Sequence, residues 1–200
     1  MEAVTVISGR GAPLRRSDVD TDQIIPAEWL KRVERTGFGA GLFAEWRKDP
    51  DFVLNDERYA GATVLVAGAN FGTGSSREHA TWALQDHGFR AVVSPRFADI
   101  FRNNCLKIGL VPVEATGEAV SRLLDALEVD AELEIVVDVT ERRLRVPALD
   151  LDEPFHLDDH SHFRLVNGLD DIGLTLRHES EIASYEQTRP AWMPLVPAER

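Results

Sequence analysis

An apolar stretch followed by a glycine-rich turn, near the middle of the chain, constrains the fold most. Residues 62–67 read ATVLVA, residues 68–74 read GANFGTG, and SSREH at 75–79 opens a run with apolar residues at helical spacing. The pattern predicts a buried strand, a tight loop and a helix. At such a junction the free N–H groups of the first helical turn face whatever lies above the loop. The stretch therefore favours a bound anion.

A purely structural explanation of the same residues is the alternative. Ser75 and Glu78 have the spacing of a capping box, in which the serine caps the helix and the glycines only make the turn. However, three glycines within seven residues exceed what a cap needs, and Arg77 would be placed against the helix dipole. We therefore favour an anion site in the loop over a plain cap.

Length and composition limit the class of protein. With 200 residues the chain can bury one good core, so we expect one main domain with an appended tail. A hydrophobic fraction of 44% and the lack of any apolar run near the ~20 residues of a membrane span predict a soluble, cytoplasmic protein without membrane contact. The net charge of −12 argues against a nucleic-acid partner, because no basic stripe could replace the counterions of phosphates.

The sequence contains few cysteines and histidines that could bind a metal ion. Cys105 is the single cysteine, which excludes an internal disulfide and cannot by itself hold a zinc or iron–sulfur site. His156, His160 and His162 lie among acids in a stretch without strong periodicity, where clustered histidines are more often solvated than metal-bound. We predict no metal site in this chain.

The order of the predicted elements indicates an α/β fold. Strands alternate with helices up to residue 113, and a hairpin is predicted over 132–146. A first strand is expected at 4–8, ended by the glycines and proline of 9–13, and a last helix from about 168 to 185. The sequence therefore predicts a compact three-layer or barrel-like α/β domain.

Two segments before the central strand are further candidates for function. Asp18, Asp20 and Asp22 alternate, but the glycine and glutamate of a calcium loop are missing. In an extended stretch they would share one face, where a carboxylate could orient a histidine or pair with an arginine; a solvated acidic turn is equally compatible. The glycines within residues 32–46 predict a lid that bends over the site.

Several blocks of sequence resemble the swivelling domain of the aconitase superfamily. They are DTDQIIP at 20–26, RTGFG at 35–39, NFGTGSSREHA at 70–80, FADIFRNNC at 97–105 and NGLDDIGL at 167–174. The resemblance implies a barrel-like swivelling α/β domain over residues 1–178, with a helix end and a proline-containing tail over 179–200. One departure is Thr73, where many relatives carry a cysteine; any small residue should suit this position.

The resemblance also implies an activity, a cofactor and a partner. The activity is that of a hydro-lyase, which dehydrates 2-isopropylmalate and rehydrates the product to 3-isopropylmalate in leucine biosynthesis. The superfamily uses a [4Fe–4S] cluster as Lewis acid, and a chain with one cysteine cannot supply the thiolates. The cluster must therefore belong to a separate large subunit, and this chain is expected to hold half of a shared active site.

Catalytic roles carried over from the family fall on two residues. Ser75 matches the base, which acts as an alkoxide, and Asp22 matches an aspartate that orients catalytic groups. Because serine is a very weak acid, the loop with Gly72 and Gly74, the helix N-terminus and Arg77 would have to stabilise the oxyanion.

Substrate-binding roles are carried over in the same way. Arg77 would bind a substrate carboxylate bidentately, and Ser76 could add a hydrogen bond. Gly72 and Gly74 are also candidates for substrate binding. Arg35 is the candidate for a second carboxylate clamp, with Arg32 as its rival. The side chains that could contact the isopropyl group, or else pack in the core, are Leu30, Phe38 and Leu42.

Other classes of protein remain as alternatives. A Rossmann-like nucleotide binder also has a strand, a glycine loop and a helix, but Gly68, Gly72 and Gly74 do not fit G-x-G-x-x-G. A serine hydrolase would need G-x-S-x-G, which residues 72–76 lack. A non-catalytic anion-binding module is a third possibility. Within the superfamily, homoaconitase- and methylmalate-type dehydratases share the Ser-Ser-Arg block.

Overall fold

One mixed sheet organises the part of the chain that the computed structural model describes, residues 1–31, 36–190 and 192–193. The strands found there are β1 (Val6–Leu14), β2 (Val64–Ala67), β3 (Ala91–Ser94), β4 (Val111–Glu114), β5 (Glu134–Asp138), β6 (Arg143–Val146) and β7 (Leu151–Pro154). The α-helices are α1 (Thr21–Ile24), α2 (Glu78–His87), α3 (Asp99–Ile108), α4 (Gly117–Val129), α5 (Asp159–Asn167), α6 (Asp171–Leu176) and α7 (Glu179–Gln187). Short 3₁₀ turns fill much of the connection between α1 and β2.

Strand β1 joins a parallel half of the sheet to an antiparallel half. The order is β4-β3-β2-β1-β5-β6-β7, and β4 to β1 are parallel while β5 to β7 are antiparallel to their neighbours. The first part of β1 pairs with β5, from Val6 to Arg10, and its last part pairs with β2, from Gly11 to Leu14. The sheet, with β1 paired in this staggered way, is curled into a half-barrel.

Helices cover both faces of the parallel half. Val64 and Val66 of β2 pack in one core with Leu123 of α4, whereas Leu65 packs in a second core with Leu84 of α2. Parallel strands buried on both faces are typical of α/β proteins, and they explain why residues 64–67 are uniformly apolar. The predicted fold class, a three-layer or barrel-like α/β domain, is confirmed.

The expected end of β1 was wrong. The strand continues through Gly9, Gly11 and Pro13 to Leu14. A Cβ at Gly9 would lie 2.2 Å from Thr63 Oγ1, and one at Gly11 would lie 2.7 Å from a methyl carbon of Ile135. These glycines allow close packing inside the sheet, and Pro13 lies beyond the last pair between β1 and β5.

The predicted lid is also wrong for the described residues of its segment. Phe38 and Leu42 are fully buried in the same core as α2, so they pack and do not face the site. The Gly39 N–H donates to Asp86 Oδ2 at 2.8 Å, and a Cβ at Gly39 would lie 2.8 Å from the backbone nitrogen of His87. Residues 32–35, which include Arg32 and Arg35, lie outside the described residues.

Two further segments differ from expectation. Asp18, Asp20 and Asp22 do not share an extended face, because Asp20 caps α1 and Asp22 lies within it. The last helix is interrupted at residues 177–178, which separate α6 from α7. The boundary between the two expected units at residue 178 stays a prediction. No helix in the described ranges is long and apolar enough to cross a membrane.

Candidate active site

The loop from β2 to α2, residues 68–77, lies at the carboxyl ends of the parallel strands, where open α/β sheets commonly bind ligands. Its backbone forms hydrogen bonds with the segment after β1 and with the segment after β3. Gly72 N–H and Thr73 N–H donate to Val19 O at 2.8 and 3.1 Å, after β1. After β3, Phe71 N–H donates to Arg96 O and Ala98 N–H donates to Phe71 O, both at 3.0 Å. The loop is thus fixed by the segments that follow its two neighbouring strands.

Two glycines of this loop have backbone conformations that disfavour side chains. Gly72 has a φ of +80° and Gly74 a φ of +87°. A Cβ at Gly72 would also lie 2.1 Å from a ring carbon of Phe101. Because the Gly72 N–H already donates to Val19 O, this glycine shapes the loop and does not offer its N–H to a ligand.

We expect Gly72→Ala to lower the free energy of unfolding by about 3 kcal/mol, from the strained φ and the collision with Phe101. Gly88→Ala is the matched control, since Gly88 has a φ of +118° and a Cβ added there would meet nothing within 4 Å, and it should lose only about 1 kcal/mol. Urea unfolding of the two variants measures the difference. Equal losses would show that Phe101 does not resist a side chain at residue 72.

Helix α2 begins later than the sequence indicated. Its N-cap is Arg77, with no side-chain capping bond, so the alternative explanation by a capping box of Ser75 and Glu78 is not found. Ser75 and Ser76 are exposed in the loop before the helix. Within the described part of the chain, the N–H groups of Gly74, Ser75 and Ser76 donate to no acceptor. The loop therefore presents two hydroxyls together with several free N–H donors.

Several residues of this loop line an open pocket of about 240 Å³. One side carries the polar loop, and the other carries the start of α3, where Ile100 is 54% exposed. The residues that line the pocket are Thr21, Gly72, Gly74, Ser75, Ser76, Arg77, Ala98, Asp99, Ile100 and Phe101. The pocket can therefore take a small molecule with an anionic group next to an apolar one.

An ion pair fixes the arginine of the pocket. Arg77 Nη1 donates to Asp22 Oδ1, and the Arg77 side chain is only 16% exposed while that of Asp22 is 58% exposed. The aspartate balances a guanidinium that the helix dipole alone would disfavour. Since a guanidinium has five N–H donors, this contact leaves donors for a bound anion. Of the alternatives left open for the aspartates of residues 18–22, pairing with an arginine is the one that the structure shows for Asp22.

The single thiol of the chain is remote from solvent. Cys105 lies in α3, is fully buried, and packs in the core with Phe71 and Leu84. Burial raises the pKa of the Cys105 thiol well above its ordinary value. One buried, protonated thiol does not fit the donor set of an iron–sulfur cluster, so this chain does not provide the ligands for one.

We expect iodoacetamide at pH 8 to alkylate Cys105 at least about a hundredfold more slowly in the folded chain than in urea, because the thiolate is the reactive form. The raised pKa and the burial act in the same direction, since both lower the accessible thiolate. Mass spectrometry of timed aliquots measures the two rates. Comparable rates would contradict the buried position.

The structure brings most of the predicted site residues together. Ser75, Ser76 and Arg77 share the pocket with Gly72 and Gly74, and Asp22 joins them through its ion pair. Arg35 lies outside the described residues. His162, from the histidine-rich stretch, has its Nε2 3.1 Å from Thr140 O.

Sequence reasoning missed Thr21 and Ile100. The Thr21 hydroxyl donates to the Ser75 carbonyl oxygen at 2.8 Å, and Ile100 forms part of the apolar wall. Both lie inside blocks that resemble the aconitase superfamily, and that resemblance was the signal that could have found them. Their roles depend on contacts between distant parts of the chain.

Comparisons with known proteins agree with this fold. A family model described as "Aconitase C-terminal domain" matches residues 1–118, and a model for the C-terminal domain of the 3-isopropylmalate dehydratase small subunit matches residues 171–198. The β-α-β order, the serine–serine–arginine loop and the first of these models define a swivelling-domain protein of the aconitase superfamily.

Curated relatives narrow the assignment. The 3-isopropylmalate dehydratase small subunit of Frankia alni is 63% identical over 194 residues, which cover 97% of this chain and 98% of the relative. That of Rubrobacter xylanophilus is 56% identical over 196 residues, 98% of this chain and 100% of the relative. The chain belongs to the family of 3-isopropylmalate dehydratase small subunits.

A solved structure supports the same fold. The crystal structure of 3-isopropylmalate dehydratase from Methanocaldococcus jannaschii superposes with a TM-score of 0.66 at 25% identity, covering 90% of this chain and 99% of that chain. The antiparallel half formed by β5, β6 and β7 distinguishes this sheet from the mostly parallel sheet of a Rossmann nucleotide binder.

Proposed function

We propose that this chain is the small subunit of a 3-isopropylmalate dehydratase, the hydro-lyase that converts 2-isopropylmalate to 3-isopropylmalate in leucine biosynthesis. It contributes the base and the carboxylate-binding residues of an active site shared with a large subunit. The observation that carries this proposal is an exposed Ser75 that shares an open pocket with the Asp22-paired Arg77. The name of the curated relatives, "small subunit", supports the existence of a larger partner.

Ser75 removes the proton from the carbon next to a substrate carboxylate. A serine hydroxyl is a very weak acid, so its oxyanion needs strong local stabilisation. The free N–H groups of Gly74, Ser75 and Ser76 and the guanidinium of Arg77 supply hydrogen-bond donors and positive charge at this point. Helix α2 contributes less than the sequence suggested, because it begins at Glu78 and its dipole acts mainly within its first turn.

Arg77 holds a carboxylate of the dicarboxylate substrate, and Ser76 adds a hydrogen bond to it. Asp22 keeps the guanidinium in the orientation needed for a bidentate contact. Gly72 and Gly74 bend the backbone so that the serines reach the pocket. Arg35, with Arg32 as its rival, is proposed to bind the second carboxylate.

A [4Fe–4S] cluster held by the larger partner would supply the Lewis acid for the departing hydroxyl. The supporting observation in this chain is that its one thiol, Cys105, is buried in the core. The residues of this chain perform the other steps: Ser75 removes the proton and Arg77 binds the carboxylate. Ala98, Ile100 and Phe101 form the wall of the pocket.

The decisive experiment is reconstitution with a cluster-bearing large subunit, followed by ultraviolet absorbance of the unsaturated product. We expect turnover of 2-isopropylmalate only when both subunits are present, with a kcat/KM at least about tenfold above the values for homocitrate and 2-methylmalate. Each subunit alone is the control. An assembled complex that leaves 2-isopropylmalate unchanged, or that prefers one of the other two acids, would refute this function.

A further inference from the structure

We propose that Thr21 is a positioning residue, which holds Ser75 in the orientation needed for proton removal; this inference rests on the function proposed above. The Thr21 hydroxyl donates to the Ser75 carbonyl oxygen at 2.8 Å, across 54 residues of sequence. The Thr21 N–H donates to Thr73 O at 2.9 Å. One residue of α1 is therefore bonded to the catalytic loop on both sides of Gly74.

The loop needs such support because Gly74 lies immediately before Ser75. A glycine at a φ of +87° is the least restricted kind of residue in a chain, so it does not by itself fix the direction of the next peptide unit. The first turn of α1 packs against this glycine, since a Cβ there would lie 3.4 Å from Asp20 Cβ and 3.7 Å from Thr21 Oγ1. With its carbonyl oxygen held by Thr21, Ser75 has a fixed backbone at the edge of the pocket that it lines.

Thr21 is itself held firmly. Asp20 and Gln23 form a reciprocal capping box: the Gln23 N–H donates to Asp20 Oδ1 at 2.8 Å and the Asp20 N–H donates to Gln23 Oε1 at 2.9 Å. The next residue, Asp22, binds Arg77. A single helical turn thus sets the spacing between the proposed base and the proposed carboxylate-binding residue.

The expected kinetic effect lies in kcat and leaves KM nearly unchanged. Although Thr21 lines the pocket, it is only 2% exposed and its hydroxyl already donates to the Ser75 carbonyl oxygen, so we expect it to hold the loop and not to bind the substrate. A displacement of about 1 Å at a reacting group can cost about a hundredfold in rate. Substrate binding through Arg77 does not depend on the Thr21 hydroxyl.

The test uses Thr21→Val and Thr21→Ser in the complex of both subunits. We expect Thr21→Val to lower kcat about 10- to 100-fold with KM within about threefold of the wild type. Thr21→Ser, which keeps the hydroxyl, should restore kcat to within about threefold. Thr81→Val is the matched control, because Thr81 is also fully buried and its hydroxyl donates to a backbone carbonyl, that of Glu78 at 2.7 Å. It should leave both constants unchanged.

Three outcomes would overturn the inference while the wild-type complex is active: wild-type kcat in Thr21→Val, an equal loss in Thr21→Ser, or a rise confined to KM. If the Thr21→Val subunit does not assemble with the large subunit, Thr21→Ala removes the same hydroxyl with a smaller side chain. It should likewise lower kcat and leave KM nearly unchanged. Failure of the proposed function is distinguishable, because then the wild-type complex itself shows no turnover.

Discussion

Replacement of Ser75 by alanine should lower kcat of the assembled enzyme about a thousandfold, the contribution expected of a positioned base. Alanine keeps the backbone, the N–H donors and Arg77, so KM should stay within about threefold of the wild type. Steady-state absorbance assays of the reconstituted complex measure both constants. Because the serine is exposed and its hydroxyl fills no core space, the variant should fold and assemble normally.

Ser184→Ala is a suitable control for this substitution. Ser184 is an exposed serine on α7, outside the residues that line the pocket, and its removal should change neither kcat nor assembly. Size-exclusion chromatography shows whether both variants still bind the large subunit. A Ser75→Ala complex that turns over at a near-normal rate would remove this serine from the catalytic role.

The centre of the fold could be predicted because local and global preferences agree there. Residues 64–67 are all apolar, as expected for a strand that is buried on both faces. The glycines follow directly, and the apolar residues of α2 recur at helical spacing. The hairpin of β5 and β6 also followed from simple alternation. In these segments the pattern of apolar and polar residues is enough to predict which side chains are buried in the folded protein.

Most errors in the fold prediction came from glycines, because a glycine in the sequence can indicate either a flexible turn or a position where the backbone packs closely against a neighbour. Gly9, Gly11, Gly39 and Gly41 were assigned to a strand end and a lid, yet each lies where a Cβ would collide with a packed neighbour. At Gly41, for example, that neighbour is the ring of Trp29, at 2.4 Å. Flexibility and close packing demand the same residue, and only the tertiary contacts distinguish them.

The site was predictable where it is continuous in sequence and unpredictable where it is assembled from distant segments. Ser75, Ser76 and Arg77 stand side by side and lie together in the pocket. The bond from the Thr21 hydroxyl to Ser75 depends on how the segment after β1 lies against the loop after β2. No local pattern encodes that contact, although an arginine partner was among the alternatives considered for the neighbouring Asp22.

Arg77→Lys should raise KM for 2-isopropylmalate about 10- to 100-fold and change kcat by less than about fivefold. A hydrogen bond to a charged group is worth about 1.5–3 kcal/mol, and lysine offers one compact charge where arginine offers a planar fork. The fork matters here because one of its nitrogens is already committed to Asp22, and a lysine cannot serve the aspartate and a substrate carboxylate in the same geometry.

Arg143→Lys is the control for this change. Arg143 pairs with Asp152 at 2.6 Å on the surface of the antiparallel half, where such pairs contribute little, so KM should not move. Initial rates over a range of substrate concentrations give the comparison. If Arg77→Lys lowered kcat at an unchanged KM, the guanidinium would act on the transition state alone and would not hold the substrate carboxylate. An unchanged KM and kcat would place the carboxylate on other cations, for which Arg35 and Arg32 are the next variants to measure.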